Sequence, residues 1–577
     1  MHLIDGSPDC LRCASEILKL PVLQHVAVIG GGPASVYFVE AILASQNISR
    51  NFRRLTLFER RSRLGCGWVY DSDTVLGFHN LAANQTISRQ EKGAELGDRL
   101  ISALAALRRS GMEICIRGGV EVLDVQHDGP GFVVRGEDGK AERVDHIVLA
   151  SGHWSAANPY AGHPDWLPSP WPASALRERA QGDILLIGAS HTAIDAALTL
   201  ADGAGEFRQV NHQLRFIPKH ACTITLASRS GCLPRVSGFG TTSGQGDPLA
   251  TQRYASHLLA DLLVEAADPN TGRVPLEAIL SALLDEFPLK HHLGMAGRSA
   301  TARLDQWLRA WQSKPAAAML RTDLEISGIS LQRQRHIPWQ GLLWEKTDIF
   351  RIALQTLGGE DRRWLDQRET ALLAHQRTLN HWNATRLQAL IEAGVLTVTK
   401  LAGSVRPNTK RGVLVSAEDS PSPHREFDLA VDCRGQTKSI AAANSPLLQS
   451  LLRRGLIQPT LVPCLGSGAA GPDETVIDGL RYYLPGGIHL NPKTMEAIPA
   501  GQQHSAYRGE QGGIFVLGPA TLGQYPISDG LHALSKLAQL AIKEIHRRSQ
   551  LRQRAALVGT GMSSVVSTDA SAPLSRV

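Results

Sequence analysis

The 577-residue sequence has no apolar run approaching the roughly 20 residues needed to cross a bilayer. Its first residues, MHLIDGSPDCLRCASEILKL, lack the basic flank and apolar core of a secretory leader, so export is not expected. Lys and Arg total 60 but never gather into a block, so the net charge of +6 carries no nucleic-acid footprint. Eight cysteines are scattered, and only Cys10 and Cys13 form a CxxC. No second close pair completes a four-ligand zinc site, and this pair precedes the first strand instead of opening a helix within the fold. Neither a Ser/His/Asp triad nor a metal-ligand cluster is evident. These absences predict a cytoplasmic chain with reduced thiols and no nucleic-acid or membrane partner. A homo-oligomer is compatible with the composition.

What is present is a glycine-rich turn that occurs twice. The first copy reads HVAVIGGGPAS (25–35) and the second DILLIGASHTAIDAAL (183–198). Each is an apolar run of strand length, a tight turn of small residues, and a helical pattern. That context makes a dinucleotide fingerprint credible. Two such sites point to two nucleotides, and the usual pair is a flavin and a nicotinamide. The repeat runs deeper, because each turn is followed by a helix and a strand, LTLFER or ITLASR. Later comes a hairpin and an apolar strand ending near a glycine. The predicted fold class is α/β, with two Rossmann-like dinucleotide-binding domains and a helical insertion.

The length requires more than one core. The expected division starts with an N-terminal extension, 1–24. A discontinuous flavin domain follows, 25–160 with 441–550. A nicotinamide domain comprises 181–235 with 394–440. A mostly helical insertion spans 236–393, and a disordered Ser/Thr/Ala/Gly-rich tail 555–577. Leu258, Leu259, Leu262 and Leu263 form one apolar helical stripe in the insertion. Leu276, Ile279, Leu280, Leu283 and Leu284 form another, and both are read as core packing.

In the first turn, Gly30 permits the sharp bend and Gly32 lets backbone approach a pyrophosphate. Pro33 and Ala34 open the helix whose amides face the phosphates, and Ser35 takes the helix-packing position. Glu59 ends the next strand and is placed for ribose hydroxyls. In the second turn, Gly188, Ser190, His191 and Thr192 are the nucleotide candidates. Ser190 stands where the fingerprint has its middle glycine, and a Cβ there is expected to push the pyrophosphate outward. The next strand ends at Arg229 with no acidic residue, which favours the 2′-phosphate of NADPH over NADH.

The stretch RSRLGCGWVYDSDTVLGFHNLAANQTIS resembles flavoprotein monooxygenases of the flavin-containing and N-hydroxylating kind. The second turn resembles that family's NADPH motif, Gly-x-Gly-x-Ser-Ala-x-Glu, with Asp195 matching the acidic position. GPATLGQYPISDGLHALSKLA resembles the closing segment of ornithine and lysine N-hydroxylases through Gly518, Asp529 and Ser535. The chain is also similar to a broad family of bacterial FAD/NAD(P)-binding proteins. The resemblance implies that Trp68 packs on the flavin and that Asn84, Gln85 and Ser88 lie near its reactive ring. It implies that Val122 holds adenine and that Gly518 and Asp529 border the flavin pyrimidine. Gln85 and Ser88 are the leading catalytic candidates, with His191 and Tyr525 behind them. The implied activity is NADPH-dependent hydroxylation of a small molecule, at an amine nitrogen, by O2 through a C4a-peroxyflavin. The Lys-Asp-Leu substrate segment of ornithine enzymes is missing after Gln85, so ornithine does not carry over. Two alternatives remain open. One is an NAD(P)H:flavin oxidoreductase serving a quinone, disulfide or protein acceptor. The other is a non-catalytic nucleotide-binding regulator.

Overall fold

The computed structural model describes residues 24–45, 52–77, 87–154, 157–239, 265–269, 272–285, 298–337, 339–340, 354–401, 403–409, 411–416, 425–465, 469–501, 512–525 and 530–565. Two parallel sheets organise it. Their strands are β1 (Gln24–Ile29), β2 (Phe52–Glu59), β3 (Glu113–Gly118), β4 (His146–Leu149), β5 (Trp166–Leu167), β6 (Gly182–Ile187), β7 (Cys222–Ser228), β8 (Leu396–Lys400), β9 (Leu429–Asp432) and β10 (Ile514–Val516). The first sheet has order β10-β4-β1-β2-β3 and the second β8-β7-β6-β9-β5. Every neighbouring pair in both is parallel. The apolar runs follow from that, because parallel strands are covered on both faces. Val26, Val28, Leu55 and Leu57 are wholly buried in the first sheet, as are Ile184 and Leu186 in the second.

In each sheet the strand that carries the glycine turn is flanked on both sides. β1 lies between β2 and β4, and β6 between β7 and β9. The chain leaves β1 through helix α1 (Pro33–Ala44) toward β2. It leaves β6 through a helix toward β7. The carboxyl ends of β1 and β6 are therefore topological switch points, where open α/β sheets bind ligands.

Helix α1 starts on Pro33, whose fixed φ suits a first helical position. It buries Val36, Phe38, Val39 and Ile42, each worth about 1.5–3 kcal/mol of removed apolar surface. Helix α2 (Arg89–Arg109) precedes β3, and helix α3 (His191–Ala204) follows β6. The insertion contributes α4 (Leu276–Asp285), α5 (Ala300–Gln312), α6 (Ala316–Arg333), α7 (Gly359–Asp366), α8 (Glu369–Gln376) and α9 (His381–Glu392). Leu276, Ile279 and Leu280 from α4 share a core with Leu304, Leu308, Trp311 and Leu365. The stripe at 258–263 lies outside the described residues.

After β10 the last helix, α10 (Leu531–Val565), presents Leu534, Leu537, Ala538, Ala541 and Ile545 to the first core. It continues to Val565, beyond the point where the composition places a tail. Its Arg552 holds Asp145 at 2.9 Å, just before β4, which ties the helix down close to that point. Between β3 and β4 stands an antiparallel trio, Val122–Asp128, Gly131–Gly136 and Ala141–Val144. Between β8 and β9 stands a second, Ser404–Pro407, Val413–Ser416 and Arg425–Phe427. The two halves thus repeat one plan.

Candidate functional site

At the first turn, Gly30 has φ +104°, and a Cβ there would collide with the Ala150 carbonyl oxygen. Gly32 differs, because its backbone is extended and the nearest atom to an added Cβ is the Gly67 Cα, 3.5 Å away. A Cβ fits sterically at Gly32, between the start of α1 and the Gly67 backbone. No side chain caps that helix, so its first amides remain available to an anion. Ser35 is fully buried and its hydroxyl donates to the Gly30 carbonyl, which accounts for a polar residue at this packing position. Glu59 is buried at the end of β2. One of its carboxylate oxygens accepts the Gly31 N–H at 2.6 Å and the other accepts Arg61 N–H at 2.9 Å. Each oxygen keeps a lone pair for a ribose hydroxyl. These residues fit an adenine dinucleotide bound through its pyrophosphate and ribose.

The Gly65-Cys66-Gly67-Trp68 element lies over this turn, with the Gly65 N–H donating to the Gly31 carbonyl at 2.6 Å. Trp68 is 43% exposed, and the Arg60 and Arg61 guanidinium carbons lie 5.3 and 4.9 Å from its ring centroid. Val122 is buried at the start of the antiparallel trio, two residues after Val120, whose N–H donates to the Glu59 carbonyl at 3.1 Å. Gly518 has φ +79° and sits beside Ala34 and Leu534, so the closing segment does return to the first helix. Tyr525 is buried and its hydroxyl donates to the Pro492 carbonyl. Asn84, Gln85 and Asp529 lie outside the described residues. Ser88 caps α2. Its hydroxyl accepts the Glu91 N–H at 3.1 Å, and the Glu91 carboxylate accepts the Ser88 N–H at 2.7 Å. That capping box uses the acceptor side of the Ser88 hydroxyl and leaves its hydrogen to donate.

At the second turn, Gly188 has φ +132° and its N–H donates to the Ala227 carbonyl at 2.7 Å. Ser190 has φ −98° and ψ −172°, an extended conformation open to any residue, and its side chain is exposed. Serine therefore replaces glycine here without backbone strain. No side chain caps α3, and His191 and Thr192 are half-buried in its first turn. Arg229 is exposed just past β7, with a guanidinium N–H donating to the Thr370 hydroxyl on α8 at 3.3 Å. Beside it the Ser228 and Ser230 hydroxyls lie 3.4 Å apart, and the Gly231 N–H donates to Ser228 at 3.1 Å. Hydroxyls, a backbone turn and an exposed guanidinium fit a 2′-phosphate.

The motif's acidic residue does not face this turn. Asp195 is buried against Arg89 of α2, with Nη2 and Oδ2 2.5 Å apart. Burial is the largest influence on Asp195 and pushes its carboxyl up to about 6, against the pull of Arg89. Burial also acts against the charge on Arg89, but Asp195 outweighs it and holds the guanidinium ionised. Around them, residues 73–77 cross from one sheet to the other. The Asp73 carboxylate accepts the Ser174 N–H and hydroxyl at 2.8 and 2.6 Å. Leu76 N–H donates to Thr199 Oγ1 on α3 at 2.8 Å. Sequence reasoning missed Arg89. Its signal was a cation in the first residue of a helix, where the dipole opposes it, which calls for a buried partner.

Comparison with known proteins agrees with the first turn. Residues 27–86 match a family model described as FAD-NAD(P)-binding. The chain is 19% identical over 463 residues to the uncharacterized protein YdhS of Escherichia coli (strain K12), spanning 72% of this chain and 83% of that one. Among solved structures, it is similar to the ornithine hydroxylase PvdA of Pseudomonas aeruginosa, with TM-score 0.42 and 11% identity, covering 91% of this chain and 100% of that one. It is likewise similar to the bacillithiol disulfide reductase Bdr (YpdA) of Staphylococcus aureus, with TM-score 0.42 and 10% identity over 91% and 98% of the two chains.

Proposed function

We propose that this chain is an NADPH-dependent flavoprotein monooxygenase that hydroxylates a small amine at nitrogen. One observation carries the reading. Two glycine turns, each at the switch point of its own parallel sheet, are joined by a hydrogen-bonded crossing at residues 73–77, in which Thr74 and Val75 are buried. That arrangement suits hydride transfer from a nicotinamide to a flavin. The Gly30–Ser35 turn and Glu59 hold FAD, while the Gly188–Thr192 turn and Arg229 hold NADPH. FAD, when bound, supplies the redox and oxygen-activating chemistry. The protein's part is to seat both nucleotides, orient the amine and exclude water. Each turnover consumes NADPH, a proton, O2 and the amine, and yields NADP+, water and the hydroxylamine.

Transfer to a disulfide has less support. Cys66 beside the first turn and Cys433 beside the second are both buried, and burial raises both thiols above their ordinary range. A thiolate relay needs the opposite shift.

The test is NADPH oxidation by the holoprotein across a panel of amines. Hydroxylamine formed in proportion to NADPH for one amine class supports the reading. Electrons that pass only to quinones or disulfides would replace it with a reductase, and no NADPH oxidation would replace it with a regulator. Arg229→Ala should raise the KM for NADPH about tenfold, equivalent to about 1.4 kcal/mol, and leave that for NADH unchanged. An unaltered preference would remove Arg229 from the phosphate site.

A further inference from the structure

Arg89 and Asp195 are an expensive way to join two helices. Both are buried, and Arg89 is the first residue of α2, where the helix dipole opposes its charge. Apolar residues of similar size are often as stable in such a place or more so. What the pair adds is direction, because a guanidinium and a carboxylate fix distance and angle together.

Its position gives that direction a use. Asp195 lies just past the first turn of α3, the helix whose amides face the nicotinamide pyrophosphate site. Arg89 follows the Ser88 cap, and its N–H donates to the Gly77 carbonyl at 3.3 Å. Gly77 has φ +154°, and a Cβ there would lie 2.5 Å from the Asp195 carboxylate and 3.9 Å from the Asn383 amide of α9. The crossing segment that ends at Gly77, the nicotinamide helix and the insertion therefore meet at one point. Thr199, one turn after Asp195, donates to the Asp195 carbonyl and accepts the Leu76 N–H, each at 2.8 Å.

We propose that the Arg89–Asp195 pair is a positioning device that sets the nicotinamide site against the flavin site at the separation hydride transfer requires. The inference rests on the two-nucleotide reading above. Neither residue touches the reacting atoms, and both act through the helices they join. Among the described residues, the charged or titratable groups facing the pair are Tyr70, toward Arg89, and Cys433, toward Asp195, with Asp432 next to Cys433. The Cys433 thiol is held well above its ordinary range by burial, so it stays neutral where Asp195 titrates. Asp195 is ionised and paired above about pH 6, and the pair is lost as pH falls through that value.

The test uses the holoprotein and two variants, Asp195→Asn and the double Arg89→Met/Asp195→Leu. The double variant keeps the site apolar and balanced, and Asp195→Asn keeps its shape. Both should retain FAD and bind NADP+ by calorimetry as the parent does. Reduction of the flavin by saturating NADPH should slow about a hundredfold, the cost of about an ångström of misplacement. Amide hydrogen exchange should accelerate in both variants at Leu76, which donates to Thr199, and at Ala173, whose N–H donates to the Asp73 carbonyl at 3.4 Å. The parent's reduction rate should fall as pH drops through about 6, and that step should vanish in the double variant. A double variant that reduces its flavin at the parental rate, or unchanged exchange at Leu76 and Ala173, would overturn the inference. If NADPH fails to reduce even the parent, the functional reading falls, and the exchange measurement alone still decides whether the pair sets the two halves.

Discussion

Replacing Gly32 with valine yields a folded, colourless protein. Its φ of −85° is open to any residue, and the nearest neighbour to an added Cβ is the Gly67 Cα at 3.5 Å, so the substitution costs the fold little. The two further methyl groups would fill the cradle at the start of α1, where the pyrophosphate must approach the backbone. Affinity for FAD should fall at least about a hundredfold, close to 3 kcal/mol. Circular dichroism and melting should stay near the parent while the visible flavin absorbance is lost. Gly30 is the contrasting control. Its φ of +104° and the Ala150 carbonyl against it mean that Gly30→Ala disturbs the turn itself, so stability and flavin should be lost together. A yellow Gly32→Val protein would remove this turn from the flavin site.

The second large effect is expected at Asp323. Its carboxylate takes both Arg235 Nε and Nη2 at 2.7 and 2.8 Å, and it also accepts the Val236 N–H at 3.3 Å. Asp323 is only 5% exposed, and the Arg235 guanidinium carbon lies 4.7 Å from the Trp339 ring centroid. This pair ties α6 to the segment that leaves β7 through Arg229. Asp323→Ala strands a guanidinium that is only 13% exposed and should cost about 3 kcal/mol. Urea denaturation should show the loss, and the KM for NADPH should rise as the Arg229 segment loosens. A cost below about 1 kcal/mol would mean that the pair is wet and exchangeable, as surface pairs are.

The two turns were legible because glycine chemistry is local. Gly30 and Gly188 are read from the few residues around them, and the structure gives both the positive φ that only glycine adopts freely. The parallel sheets followed from apolar runs bounded by those turns. Ser190 is a subtler case. The fingerprint has glycine there, yet the backbone is extended, so the position tolerates a side chain where the sequence pattern alone implies a penalty.

What the sequence concealed is mostly long-range. Arg89 and Asp195 are far apart in the chain, and nothing in either neighbourhood names the other. The hairpin Gly205–Val210 with Gln213–Pro218 turns on Asn211 and His212, at φ 49° and 63°. A turn without glycine gives little warning of two left-handed residues. Strand β5 has only two residues and pairs with β9 from outside both expected nucleotide-binding segments. Ser88 illustrates a different ambiguity. Resemblance sets Ser88 near the flavin ring, and the structure makes Ser88-Arg89-Gln90-Glu91 a capping box at the start of α2.

Under the proposed function, the two nucleotide sites face each other closely enough to exchange a hydride. Anaerobic titration of the purified yellow holoprotein with NADPH, followed by flavin absorbance in stopped flow, tests it directly. Complete bleaching by one equivalent of NADPH, at a rate no slower than turnover, is the expected result. A flavin that stays oxidised in the presence of bound NADPH would contradict it.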